Sequence, residues 1–144
     1  MIAPPSIRRF TLLWWAATAF WLIAMILSWK RTQATLAANP QTAAAADIAQ
    51  ALVIVVVLAV TALLWWLVAR RASPAGKWLT IAVAAFSAAA LAVRVVGQSG
   101  GGSLPSVALT AFLLGGILTV AAAAMLFSGE AAEWFGNVVT EDVV

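Results

Sequence analysis

The sequence predicts an all-α integral membrane protein whose four transmembrane helices form an antiparallel bundle, followed by a short interfacial helix. Three observations predict this fold class. First, 65% of the 144 residues are apolar, whereas a soluble domain has roughly 45–50%. Second, four apolar runs are each long enough to cross a hydrocarbon core of ~30 Å. Third, charged residues make up only 9% of the chain and lie between these runs. The predicted single transmembrane domain has spans at 10–29, 48–69, 78–96 and 107–127, an interfacial segment at 128–136 and a tail at 137–144.

The composition excludes several kinds of chemistry. The chain has no Cys and no His, which removes thiolate metal sites, disulfides and axial histidine ligation of haem. We therefore predict no metal, no cofactor and no catalytic residue. The net charge of +3 does not indicate nucleic-acid binding, because the basic residues flank apolar spans, where retention on the cytoplasmic side explains them.

The first span follows Ser6, a residue type that can cap a helix start, and the basic pair Arg8-Arg9. Residues 10–29 are uncharged, and Lys30-Arg31 follow them. A cleaved signal peptide is the alternative interpretation. It is disfavoured because the apolar run is longer than the usual h-region of ~7–15 residues.

The second span follows a polar connection, residues 30–46. Asn39-Pro40 in this connection resembles a helix start, and Asp47 suits the positive end of a helix dipole. Residues 48–69 are rich in Val, Leu and Ile and are apolar on all sides, as expected for a helix exposed to lipid.

A basic turn at 70–77 separates the second and third spans, with tryptophans on both sides. Ser73-Pro74 predicts an N-cap followed by proline at the first helical position, so the two helices should form a hairpin. Because Trp favours the headgroup layer and Lys and Arg concentrate in cytoplasmic loops, the turn and both termini are predicted to be cytoplasmic. The predicted interface anchors are Arg8, Arg9, Trp65, Trp66, Arg70, Arg71, Lys77 and Trp78.

Small residues recur every four positions in the third and fourth spans. This spacing lets helix backbones approach closely in a bilayer, so we predict that the two faces pack against each other. The alternative is that one of them is a homodimer face. The predicted packing residues are Thr80, Ala84, Ala88 and Ala92 in the third span and Ala111, Gly115, Thr119 and Ala123 in the fourth.

The remaining segments are a glycine-rich linker at 97–105 and the C-terminal segment. The linker lacks the Gly-Lys-Ser/Thr end of a phosphate-binding loop. In the C-terminal segment, Trp134 and Phe135 are predicted to dip into the membrane interface while Glu130 and Glu133 face water, and Gly136 is predicted to end the helix. Trp134 and Phe135 are also candidate contacts for a partner protein.

Three sequence blocks resemble small, uncharacterised four-span inner-membrane proteins of proteobacteria. They are Pro5-Ser6-Ile7-Arg8-Arg9-Phe10, then residues 70–78, then Leu126-Phe127 with Ala132-Glu133-Trp134-Phe135. The resemblance implies a four-helix protein of the bacterial inner membrane. It implies no activity and no catalytic residue.

By exclusion, the sequence favours a non-catalytic accessory or scaffolding subunit that binds the lipid bilayer and another membrane protein or itself. A proton-coupled transporter usually has an ionisable residue near the bilayer midplane, and the nearest candidate here is Arg94, which can extend to the outer headgroups instead. A passive homo-oligomeric pore is the alternative function.

Overall fold

The computed structural model describes residues 4–38, 40, 43–97 and 106–136, and these residues are helical with no strand among them. Four of the helices, α1, α3, α4 and α5, are long and apolar enough to cross a membrane, which confirms the predicted helical fold class and the predicted number of long apolar helices. The linker at 98–105 and the tail at 137–144 lie outside the described residues. The helices are α1 (Pro5–Leu27), α2 (Trp29–Ala37), α3 (Ala46–Ala69), α4 (Pro74–Gly97), α5 (Ser106–Met125) and α6 (Gly129–Gly136), with a short 3-10 turn at Ala43–Ala45.

Helix α1 begins earlier than the predicted cap at Ser6. Pro4 precedes the helix in an extended conformation and Pro5 occupies the first helical position, where proline loses no hydrogen bond. The carbonyl of Pro4 accepts hydrogen bonds from the N–H groups of Ile7 and Arg8. Ser6 is therefore a buried residue of the first turn and not the N-cap.

The predicted polar connection after the first span is largely helical. The helical path is interrupted only at Ser28, and α2 begins at Trp29. The hydroxyl of Ser28 donates a hydrogen bond to the carbonyl of Ala24 at 2.8 Å. Its Lys, Arg, Gln, Ala and Leu residues are all good helix formers. Helix α3 starts at Ala46, later than the predicted start near Pro40, and Gln33 of α2 donates a hydrogen bond to Asp47 in its first turn.

The basic turn between α3 and α4 has the predicted helix start. The hydroxyl of Ser73 accepts a hydrogen bond from the N–H of Gly76 at 3.3 Å, and Pro74 is the first residue of α4. The chain reaches this start through Ala72, which has a φ of 46° and so adopts a left-handed conformation that costs an L-residue about 1–2 kcal/mol. Its methyl group is buried in the core, which offsets part of that cost.

The main hydrophobic core lies beside this turn. It joins the first half of α1, the last turns of α3, the end of α5 and α6. Two indole N–H groups cross it: Trp14 of α1 donates to the carbonyl of Thr61 at 3.1 Å, and Trp134 of α6 donates to that of Val68 at 3.2 Å. Its buried members are Ile7, Phe10, Trp14, Leu64, Val68, Ala72, Ala122, Leu126, Ala131 and Phe135.

Helix α5 makes its most extensive contact with α1, not with α4 as predicted. A Cβ placed on Gly115 would lie 3.0 Å from Cδ1 of Trp21 and 3.3 Å from the carbonyl oxygen of Ala17, so the small-residue face of α5 lies against α1. Helix α4 contacts α5 at the next residue, Gly116, where the side chain of Leu91 occupies the space beside the glycine.

The small-residue face of α4 is only partly used. Thr80 and Ala84 are buried, but Ala88 and Ala92 are exposed. Helices α4 and α5 do contact each other, but Gly115 of the α5 face lies against α1 and half of the α4 face is exposed. Spacing identifies which residues share a helix face, but it does not identify the helix opposite that face.

Candidate functional site

A cleft of about 350 Å³ opens between α1, α3, α4 and α5. Its walls are almost entirely aliphatic and aromatic, and its position is near the middle of the long helices. The lining residues are Trp14, Ala17, Thr18 and Trp21 of α1, Val56, Val57, Val60 and Thr61 of α3, Val83, Phe86 and Ser87 of α4, and Thr119 of α5.

The cleft exists because α3 contacts the other helices near its two ends. Leu64 and Val68 are buried near its C-terminal end, and Ala46 and Gln50 are buried near its N-terminal end, whereas no residue from 51 to 63 is buried. Helix α3 is also the most apolar of the four long helices and the least buried. Its middle thus forms one wall of an open, apolar surface.

Two hydroxyl groups of the cleft are bonded within the protein. The hydroxyls of Thr18 and Thr119 donate to the carbonyls of Trp14 and Gly115, each at 2.8 Å. Such bonds to the preceding helical turn are the ordinary state of Thr in membrane helices. Among the residues that the structure describes, no ionisable side chain lines the cleft. The described lining can therefore accommodate an apolar group.

The residues predicted to pack helices contribute little to this cleft. Six of the eight are buried and two, Ala88 and Ala92, are exposed, while only Thr119 lines the cleft. The sequence analysis missed the cleft itself. Its one available signal was the uniform apolarity of residues 48–69, which we interpreted as lipid exposure alone.

The predicted interface anchors lie around the basic turn and at the start of α1. Arg8, Arg9, Arg70 and Arg71 are exposed. The guanidinium carbon of Arg71 lies 4.5 Å from the ring centroid of Trp66, a distance suited to a cation–π interaction. Trp78 is 64% exposed and Trp65 is half-buried against the core, so the tryptophans of this group differ in their surroundings.

Lys77 is a link between the turn and the C-terminal helix. Its ammonium nitrogen lies 5.1 Å from the ring centroid of Phe127 and 5.5 Å from that of Phe135. Two aromatic faces thus hold one cation, which joins the start of α4 to α6.

Phe135, one of the two candidate partner contacts, lies inside the protein, whereas Trp134 is only partly buried. Phe135 is 7% exposed within the main core, and Trp134 packs beside it. Glu130, predicted to face water, is exposed but also accepts a hydrogen bond from the backbone N–H of Ser6 at 3.2 Å. The short helix is present over Gly129–Gly136, and its apolar face covers the chain's own core.

Arg94, the candidate polar site, belongs to α4, but its side chain lies outside the described part of the structure. Within the described ranges, no group of three or more His, Cys, Asp or Glu residues could hold a metal ion. No protein-family model, curated protein or solved structure matches the chain.

Proposed function

We propose that the protein is a non-catalytic integral membrane protein of the bacterial inner membrane, acting as an accessory or scaffolding subunit. Its cleft receives apolar side chains from a transmembrane segment of another membrane protein or of a second copy. In this proposal the four long helices cross the bilayer as an antiparallel bundle, with both termini and the basic turn in the cytoplasm.

The distribution of charge and core contacts supports the proposed orientation. The start of α1, the end of α3 and helix α6 meet in the main core, and Arg8, Arg9, Arg70 and Arg71 are exposed around the same region. A basic cluster of this kind favours the cytoplasmic side. Both ends of the described chain would then lie on that side, as an even number of crossings requires.

The observation that carries the proposed function is the apolar cleft beside the exposed middle of α3. Association of helices in lipid depends on close packing, because lipid removes the usual hydrophobic driving force. A groove between helices provides such packing for a side chain of a facing helix, and filled pockets at the centre of an interface contribute most of its binding energy. The described lining of the cleft is aliphatic and aromatic with a few hydroxyl groups, which fits a binding surface better than an ion path, since an ion path ordinarily has polar or charged lining.

The test compares two positions on the same helix. Val57 lines the cleft, whereas Val55 does not and is 60% exposed. A photo-reactive amino acid at position 57 should crosslink in native membranes to one defined partner or to a second copy, and one at position 55 should give only weak, unselective products. Val57→Trp should then reduce recovery of that partner, while Val55→Trp should not.

Two results would reject the proposal. One is equal crosslinking from positions 55 and 57, since the cleft would then have no preference for a partner. The other is reproducible ion or solute flux when the purified protein is reconstituted in liposomes, which would favour the homo-oligomeric pore instead. Thermal unfolding in detergent should be measured for both Trp variants, so that loss of fold is distinguished from loss of binding.

A further inference from the structure

A second pocket, of about 470 Å³, lies between α1, α2 and the first turns of α3. It differs from the cleft because its lining combines a charged residue, Arg31, and polar residues with apolar residues such as Met25 and Val53. Helix α2 directly follows the apolar run of α1. In the proposed membrane orientation the pocket therefore lies where hydrocarbon gives way to headgroups.

Gln50 in this pocket has an unmet hydrogen-bonding requirement. The residue is only 4% exposed and lines the pocket, yet its side-chain oxygen, Oε1, has no hydrogen-bond partner. A buried acceptor without a donor is unfavourable, and most buried polar atoms in proteins have a partner. The pocket thus calls for a hydrogen-bond donor that the chain itself does not supply to this atom.

The hydroxyl groups nearby also present acceptors to the pocket rather than donors. Ser28, Thr32 and Thr35 each donate their hydroxyl hydrogen to the carbonyl four residues earlier, at 2.8, 3.1 and 3.0 Å. A hydroxyl that donates in this way retains only its lone pairs for a ligand. Arg31 adds a permanent positive charge to this lining.

We propose that this pocket binds the headgroup of one phosphatidylethanolamine molecule. Its ammonium group has three donors and no acceptor, which complements Gln50 and the hydroxyl lone pairs, and its phosphate is the anion that an arginine recognises. The apolar residues of the pocket accommodate the first part of an acyl chain. A free anion would leave both the apolar residues and the acceptor oxygens without partners. The inference depends on membrane insertion but not on the accessory role.

The test is native mass spectrometry of the purified protein with three lipids of identical acyl chains: phosphatidylethanolamine, phosphatidylcholine and phosphatidylglycerol. We expect phosphatidylethanolamine to bind about tenfold more tightly than phosphatidylcholine, whose headgroup has no N–H donor, because tenfold corresponds to one charge-assisted hydrogen bond. Gln50→Leu should abolish this preference. Arg31→Gln should weaken binding of all three lipids, whereas Lys30→Gln, on an exposed neighbour outside the pocket lining, should have no effect.

Three results would overturn the inference. Equal affinity of the wild-type protein for phosphatidylethanolamine and phosphatidylcholine would show that the N–H donors of the ammonium do not contribute to binding. This result requires no variant. Equal affinity for phosphatidylethanolamine and phosphatidylglycerol would show that a hydroxyl serves as well as the ammonium, and would reject selectivity for the ethanolamine headgroup. An unchanged preference for phosphatidylethanolamine in a folded Gln50→Leu variant would show that Gln50 does not recognise the headgroup. Crosslinking at Val57 does not depend on any of these outcomes, so failure here leaves the accessory function intact.

Discussion

Substitution of Gly115 by alanine is the most direct test of the α1–α5 contact. The added Cβ would lie 3.0 and 3.1 Å from Cδ1 and Nε1 of Trp21, closer than ordinary van der Waals contact. The indole cannot move away freely, because its ring meets that of Phe112 edge to face with centroids 5.0 Å apart. The carbonyl oxygen of Ala17, at 3.3 Å, belongs to the backbone of α1 and can move only with that helix.

The expected magnitude is the difference between two opposing effects. Overpacking of a tight contact costs about 1–3 kcal/mol, while replacing a helical glycine by alanine gains about 0.8–1.0 kcal/mol of helix propensity. Gly115→Ala should therefore lower the free energy of unfolding by about 1 kcal/mol. Gly115→Leu, which adds three further carbons at the same place, should lower it by about 3 kcal/mol or more.

The measurement is equilibrium unfolding in mixed micelles, followed by helical circular dichroism and tryptophan fluorescence. Gly129 is the matched control for alanine, since nothing lies within 4 Å of a Cβ built there, and Gly129→Ala should be neutral or stabilise by up to about 1 kcal/mol. Ala88, which is exposed, is the control for leucine, and Ala88→Leu should change stability by less than about 0.5 kcal/mol. If Gly115→Ala and Gly129→Ala shift the free energy of unfolding in the same direction by the same amount, the close approach of α5 to α1 is refuted.

Two further predictions concern α6 and the orientation. Trp134→Phe removes the hydrogen bond to the carbonyl of Val68 and should lower the free energy of unfolding by about 0.5–1.5 kcal/mol in the same assay. Trp78→Phe, at a largely exposed ring, should change it very little. Equal effects of the two substitutions would show that the indole hydrogen bond does not stabilise α6. Because the chain has no Cys, single cysteines at the exposed positions Ala38 and Ala75 can be labelled in intact cells with a membrane-impermeant maleimide. We expect position 38 to react before permeabilisation and position 75 only afterwards, and the reverse order would invert the proposed topology.

The parts of the fold set by local chemistry could be predicted from the sequence. The four apolar runs and the Ser73-Pro74 helix start each depend on a few neighbouring residues. Helix α2 was missed because its polar composition resembles a loop, although its residue types are good helix formers. Pairing could not be predicted in the same way, since the small-residue face of α5 fits any helix that approaches closely.

The candidate sites illustrate the same limit. The cleft depends on where the middle of α3 separates from the other long helices, and the sequence of an all-apolar run does not show where this separation occurs. Gln50 could not be identified from the sequence, because the pocket that it lines includes residues of α2, a helix that the sequence pattern did not predict. Trp134 and Phe135 were assigned to an outer surface since an aromatic pair after a last span is typical of the interface, yet the core beside the basic turn covers Phe135.

The pairing of α1 with α5 has a consequence for synthesis of the chain. Residue 27 ends α1 and residue 106 begins α5, so at roughly 5–20 residues per second α1 emerges roughly 4–16 s before its main neighbour exists. During this interval Trp21 and Ala17 have no glycine face opposite them. In the proposed membrane arrangement, α1 would therefore stay in the bilayer as an independently inserted segment, and its final packing would follow translation of the last span. We expect nascent chains arrested before residue 106 to expose α1 to insertion factors and proteases, and full-length chains to protect it.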